Sequence, residues 1–404
     1  MARFHLPTSD FLLLFLKNRP RKLPHTFYLM NLTNLINFVV PLPPQSDFSQ
    51  IQNHTIFIYM AENDIPRNEI SQLGKFNLIS KLTDNIKLEQ PTTVVGPGDD
   101  AAAARFDNRL TVAASKLFLE NIHFDLAYFP LKHLGYKCAG IAISDLLAMN
   151  ATPSQLTVNL AVSNRFSVEA VEELLTGLRA CCHYYHLDIA TLDITSSMSG
   201  LAIGLTALGS IEPDRLTRRT GTRENELICV SGDFGAAYAG LLLLQREKQV
   251  FETTGNSQPD FDGYDYLLER QLKPEPRLDI VEALRKNDIL PTAMTIVSDG
   301  LASSLLHLCH LNHLGCTIYE NKTPVDPLTF QTLRELKIVA TTVALNGGED
   351  YELLFTIKQE DYEKVKTIAN VSVIGYMTEP NAGCNLITND NRQISLRAQG
   401  FQGE

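Results

Sequence analysis

Apolar and polar residues alternate in three short stretches beyond residue 150: LTVNLAVS (156–163), LAIGLTALG (201–209) and ELICVSG (226–232). A period of two puts the apolar side chains on one face, so each stretch predicts a strand. Between the first two, SVEAVEELLTGLRACCHYY (167–185) repeats its apolar residues at helical spacing behind Ser167, a preferred N-cap, and predicts an amphipathic helix. A second helical spacing runs through LKHLGYKCAGIAISDLLAMN (131–150), where Leu134, Cys138, Ile141 and Ala148 form a stripe and Asp145 falls on it. Strands interleaved with helices favour a mixed class, α/β or α+β. IEPDRLTRRTG (211–221) reads as the join between two halves, and no repeat stands out at solenoid periods.

The first 59 residues break this pattern. FLLLFL (11–16) is too short to span a bilayer, and the basic KNRPRK follows it, the reverse of signal-peptide order. FYLMNLTNLINFVVPLPP (27–44) is longer but interrupted by three asparagines, whereas MAENDIPRNEISQLGKF, from Met60, is a polar start leading into a helical pattern. The expectation is a chain that natively starts at Met60, with 1–59 a non-native or disordered extension, 60–213 an N-terminal domain and 214–404 a C-terminal domain.

Composition narrows the function classes. A hydrophobic content of 44% over 404 residues is enough for two ordinary cores, so the chain is globular. Its net charge of −11 argues against a general nucleic-acid binder, which needs a surplus of Lys and Arg. The basic RLTRRTGTR (215–223) is a local exception, open to reading as an anion site or a solvated loop. Seven cysteines, with one adjacent pair at Cys181 and Cys182, form neither a disulfide framework nor a zinc spacing, which points to a reducing, cytoplasmic setting with no membrane partner.

The acids carry the chemistry. VVGPGDDAAAARFD (94–107) sets Asp99 and Asp100 between a Gly-Pro-Gly turn and four alanines. Asp145, on an apolar stripe, needs a metal, a salt bridge or a hydrogen bond from a neighbouring helix terminus, because an unpaired buried carboxylate is costly. VSDGLASSLLHLCHL, from Val297, enters a helix through Ser298, Asp299 and Gly300, which suits either an N-cap or a phosphate at a helix N-terminus. LNGGEDYELLFTI, from Leu345, sets Glu349 and Asp350 ahead of an apolar strand, and Asp193 in DIATLDITSSMSG reads as a turn residue beyond a short strand.

The motifs GPGDDAA, ISDLLAM, VSDGL and GGEDYEL occur in the order and approximate spacing of thiamine-monophosphate kinases, and the chain from Met60 onward resembles that family within the aminoimidazole ribonucleotide synthetase-like superfamily. The resemblance implies two α/β domains, dimerisation through the first, and magnesium-dependent transfer of the γ-phosphoryl of ATP to thiamine monophosphate. It implies Asp99, Asp100, Asp145, Asp193 and Asp299 as metal ligands, with Ser298, Arg219 and Asp145 on the nucleotide. His123, in ENIHFD, Glu349 and Phe401 fall on the thiamine phosphate side.

The chain also departs from the family. ASKLFLENIHFD (114–125) puts Lys116 where an acid is usual, Thr191 and Leu192 replace the glycines before Asp193, Ile296 replaces an acid, and Leu175 stands for an aromatic near adenine. Lys116 is a fixed cation standing in for one magnesium, or else the chain is a catalytically impaired nucleotide-binding paralogue.

Overall fold

The computed structural model describes residues 92–95, 99–254 and 261–398. These all lie in a compact unit spanning Glu69–Glu404. The expected extension at 1–59, the Met60 start and Phe401 fall outside the described residues.

Two mixed sheets dominate. The first comprises β1 (Thr93–Val95), β2 (Ala102–Phe106), β3 (Arg109–Leu119), β4 (Thr152–Val162), β5 (Asp188–Ser196) and β6 (Leu201–Ile211). They lie in the order β1-β2-β3-β6-β4-β5, antiparallel except for the β4–β5 pair. The second sheet comprises β7 (Leu227–Ser231), β8 (Ala293–Val297), β9 (Gly315–Tyr319), β10 (Glu352–Ile357), β11 (Val371–Thr378), β12 (Cys384–Ile387) and β13 (Gln393–Ser395), in the order β13-β12-β9-β11-β7-β10-β8. The three alternating stretches of the sequence all become strands.

Helix α1 (Leu131–Ala148) lies between the sheets. Its apolar stripe proves wider than the spacing predicts, because every residue from Leu134 to Ala148 is buried. A helix apolar all round belongs in a core rather than on a surface. Helix α2 (Val168–Tyr184) packs along α1 at two glycines: a Cβ on Gly135 would fall 2.0 Å from the Leu174 carbonyl oxygen, and one on Gly177 1.8 Å from that of Lys132. Ser167 caps α2 as expected, its hydroxyl accepting from the Ala170 N–H at 3.3 Å.

The remaining helices, α3 (Ala236–Thr254), α4 (Asp265–Leu272), α5 (Leu278–Lys286), α6 (Leu301–Asn312), α7 (Pro327–Glu335), α8 (Ala340–Asn346) and α9 (Tyr362–Val365), belong to the second half. Strand β10 is buried on both faces. Leu353, Phe355 and Ile357 join the α1 core, while Leu354 joins a second core under α6 with Ile228, Val230 and Val297. Full coverage explains why this strand reads as a continuous apolar run. The open edge of β8 is met by the 211–221 join, where the Met294 N–H donates to the Arg218 carbonyl at 2.9 Å.

Candidate active site

Strand β8 ends at Val297, and the chain turns through Ser298, Asp299 and Gly300 into α6. The N-cap is Gly300, at φ 95°, and it makes no side-chain cap bond, so Ser298 and Asp299 stand ahead of the helix rather than capping it. The Ser298 hydroxyl donates to Asp299 Oδ2 at 2.7 Å. Against this turn lies the GGEDYEL loop, its Glu349 N–H donating to the Ser298 carbonyl at 2.7 Å and its Tyr351 N–H to that of Val297 at 2.9 Å. Glycines permit the approach: a Cβ on Gly300 would meet the Leu345 carbonyl oxygen at 2.8 Å, and one on Gly348, at φ 75°, would meet that of Ser298 at 2.9 Å. Glu349 and Tyr351 themselves sit at φ 62° and 52°, a conformation that costs a non-glycine residue about 1–2 kcal/mol and recurs at functional sites.

Asp145, near the end of α1, receives the Lys116 ammonium at 2.6 Å from β3 across the inner face of the first sheet. Burial pushes the Asp145 carboxyl up to about 6, and Lys116 opposes that rise. The lysine at the family's acidic position thus serves here as the partner of the buried aspartate. Asp100 is clamped by Arg219, whose Nε donates to Oδ2 at 2.8 Å and whose terminal nitrogen pairs with Oδ1. Arg219 Nε also reaches Thr295 Oγ1 on β8 at 3.2 Å. Asp99 accepts the Asp100 N–H at 2.8 Å. Burial and the neighbouring Asp100 charge push its carboxyl up, against the N–H groups of Asp100 and Arg219. Asp100 and Arg219 act electrostatically on Asp145, which sets these groups near one another.

Glu349 accepts from the buried Lys137 ammonium at 2.7 Å and the Gln271 amide at 3.2 Å. Lys137 lies 5.4 Å from the Phe129 ring centroid, which brings in the loop 120–130. His123 stands at the start of that loop, its Nδ1 accepting the Leu119 N–H at 3.0 Å and its ring edge-on to Phe118. The buried Tyr351 links the parts: burial holds its hydroxyl protonated, and Glu349, Asp299 and Asp145 all add to that effect.

Asp193 is placed apart. Strand β5 runs on to Ser196 instead of turning at Asp193, because β4 pairs with it to its end. Asp193 pairs with Asn159, which pairs with Gly204, which pairs with Leu117, whereas Lys116 belongs to the neighbouring row with Leu205, Val158 and Leu192. Successive residues point to opposite faces. Asp193 therefore occupies the outer face of the first sheet and Lys116 the inner. Leu192 and Leu175 meet in a groove of about 390 Å³ between β5 and α2, with Arg179 and His183 also lining it. Ile296 is packed in the α1 core, contributing no ligand where the family has an acid.

A buried ion cluster beside the GGEDYEL loop escaped the sequence reading. Glu352 accepts from Arg270 at 2.8 Å and Arg277 at 3.1 Å, with the Ser231 hydroxyl at 2.5 Å. Asp350 accepts the Gly235 N–H at 3.1 Å, and burial pushes its carboxyl up to about 7 despite Arg270 nearby. The acidic GGEDYE string was the only signal, and its partners lie 75 to 121 residues away in the chain.

Comparison with known proteins agrees with this architecture. Residues 98–211 match the family model of AIR synthase related protein, N-terminal domain. The thiamine-monophosphate kinase of Bacillus subtilis is 28% identical over 335 residues, covering 81% of this chain and 99% of that protein. That of Salmonella typhimurium is 31% identical over 333 residues, covering 81% and 97%. The solved structure of AaThiL complexed with AMPPCP and TMP superposes with a TM-score of 0.68 at 25% identity, over 81% of this chain and 97% of that one. With 31% identity to the Salmonella typhimurium enzyme over most of both chains and a fold of the same kind, the chain belongs to the thiamine-monophosphate kinase family.

Proposed function

We propose that this chain is an ATP-dependent kinase that moves the γ-phosphoryl group of ATP onto the phosphate of thiamine monophosphate, giving thiamine diphosphate. The reading is carried by its likeness to enzymes of that name across 97–99% of their length. A relative holding AMPPCP and TMP adds support. Joining two anions asks the protein mainly for alignment and charge neutralisation, with little covalent work. In this reading Arg219 and Ser298 face the nucleotide, while His123, Glu349 and Phe401 hold the thiamine phosphate. Asp100 and Thr295 hold the Arg219 fork while Asp99 accepts the Arg219 backbone N–H, so the guanidinium is oriented before substrate arrives.

Magnesium fits the donor set, which is hard oxygen throughout. Among the described residues no three carboxylates bring oxygens within 4.8 Å of one another, so the site suits a cation shared with phosphates rather than a closed protein cage. Asp99, Asp145 and Asp299 would hold it. Asp100 is committed to Arg219, and Asp193 lies on the other face, so both stay outside that set. Bound magnesium would neutralise and bridge phosphate oxygens. Lys116 adds a point charge at the same place while compensating Asp145.

Residues 60–213 would form the nucleotide and dimerisation half and 214–404 the second half. The outer face of the first sheet presents Ala113, Ser115, Leu117, Ala202 and Thr206, half-buried or exposed, and suits pairing with a second copy into a homodimer. Seven cysteines free of disulfides are in keeping with a cytoplasmic enzyme. Among the described residues no helix is long and apolar enough to cross a membrane. The test is to incubate purified protein with ATP, magnesium and thiamine monophosphate and follow thiamine diphosphate by chromatography. Product at enzyme-dependent rates supports the reading; ATP binding without product would make the chain an impaired paralogue.

A further inference from the structure

Three cysteines from separate elements converge in the second half. Cys309 lies near the end of α6, Cys316 on β9 and Cys384 on β12. Cys316 and Cys384 are direct register partners on parallel neighbouring strands, so their side chains rise from the same face side by side. Helix α6 packs on that face and adds Cys309, and the three sulfurs all lie within 4.8 Å of one another. Cys309 and Cys316 are fully buried, while Cys384 keeps partial access to solvent. We propose that Cys309, Cys316 and Cys384 form a three-thiolate site for a soft closed-shell cation, Zn²⁺ or Cu⁺.

Geometry and chemistry agree on this class. A metal–sulfur bond of about 2.3 Å in a trigonal plane sets its sulfurs about 4 Å apart. A triangle with edges of at most 4.8 Å has its centre no more than about 2.8 Å from each corner, so the sulfurs need close on a cation by no more than about half an ångström. Thiolates select Cu⁺ and Zn²⁺ over hard cations such as magnesium. Binding would displace thiol protons, because cysteine ligates a cation as the thiolate. Zn²⁺ would complete its tetrahedron with water from the Cys384 side; Cu⁺ needs no fourth ligand. Buried cysteines often act merely as small apolar side chains. Three sulfurs meeting at one point, from a helix and a register-matched strand pair, go beyond that.

The test uses the full chain, reduced and stripped of metal under anaerobic conditions, titrated in separate arms with Zn²⁺ and with Cu⁺ against a chromophoric chelator. The expected result is one equivalent bound in at least one arm, with release of protons. Affinity should fall about 100-fold or more in Cys384→Ser and Cys316→Ser and stay within about twofold in Cys182→Ser, which lies outside the cluster. Protection of Cys384 from alkylation by bound cation, read by peptide mass spectrometry, tests the wild-type chain without any variant. Equal affinity in wild type and Cys384→Ser, no protection, or a disulfide within the trio in anaerobically purified protein would each overturn the proposal.

Discussion

Replacing Lys116 by methionine isolates the electrostatics at the heart of the pocket. The Lys116 ammonium is the buried Asp145 carboxylate's ion-pair partner at 2.6 Å, and methionine keeps the length of the stem while removing the charge. Breaking a buried pair by deleting one partner costs about 3–5 kcal/mol. The lower end applies, because Lys116 retains 30% of its surface in solvent. In the wild-type fold the Asp145 carboxyl is raised from 3.8 to about 6. A raised acid binds its proton more tightly folded than unfolded, so stability is fullest below 3.8 and falls by about 3 kcal/mol as pH climbs through 6. Without the lysine the carboxyl moves further up. Urea unfolding followed by circular dichroism should therefore show Lys116→Met about 3 kcal/mol less stable than wild type at pH 8. At pH 5, where Asp145 is protonated in the variant fold, the loss should be smaller by about 1.5 kcal/mol or more. Equal losses at both pH values would mean that the lysine acts through packing alone, and the electrostatic account of Asp145 would fail.

Other perturbations probe the remaining parts. Arg219→Lys keeps the charge but loses the fork that clamps Asp100 and reaches Thr295, so kcat/KM should drop about 100-fold in steady-state assays while the melting curve stays cooperative. Gly300→Ala puts a methyl 2.8 Å from the Leu345 carbonyl at φ 95°; it should lower stability by about 1–3 kcal/mol in thermal unfolding and cut turnover further by displacing Ser298 and Asp299. Glu352→Gln leaves Arg270 and Arg277 without their shared carboxylate, and the urea midpoint should fall by the equivalent of about 3–5 kcal/mol.

Local periodicity was legible in the chain, and the partners that each element meets across the fold were not. Strands β4 and β6 announced themselves by alternation, because each residue type follows the face it occupies. Helix α1 was readable as a helix but not as fully enclosed, since its small residues at Ala139, Gly140 and Ala142 are silent about a second partner. The aspartate motifs marked the site, yet nothing local in the chain pairs Asp145 with Lys116, 29 residues earlier on another element, or Glu349 with Lys137, 212 residues away. Asp193 read as a turn because its Ser and Thr neighbours favour one, and only pairing with β4 carries the strand past it. The left-handed Glu349 and Tyr351 follow from backbone bonds to the β8 end, which no residue preference announces.

The most direct measurement is transfer of label from γ-labelled ATP to thiamine monophosphate by the purified chain, beside its Asp145→Asn variant. The account predicts labelled thiamine diphosphate from the wild type, dependent on magnesium, and loss of about 100-fold or more of that rate in the variant. Absence of labelled product from a folded, ATP-binding wild type, or equal rates in both proteins, would contradict it.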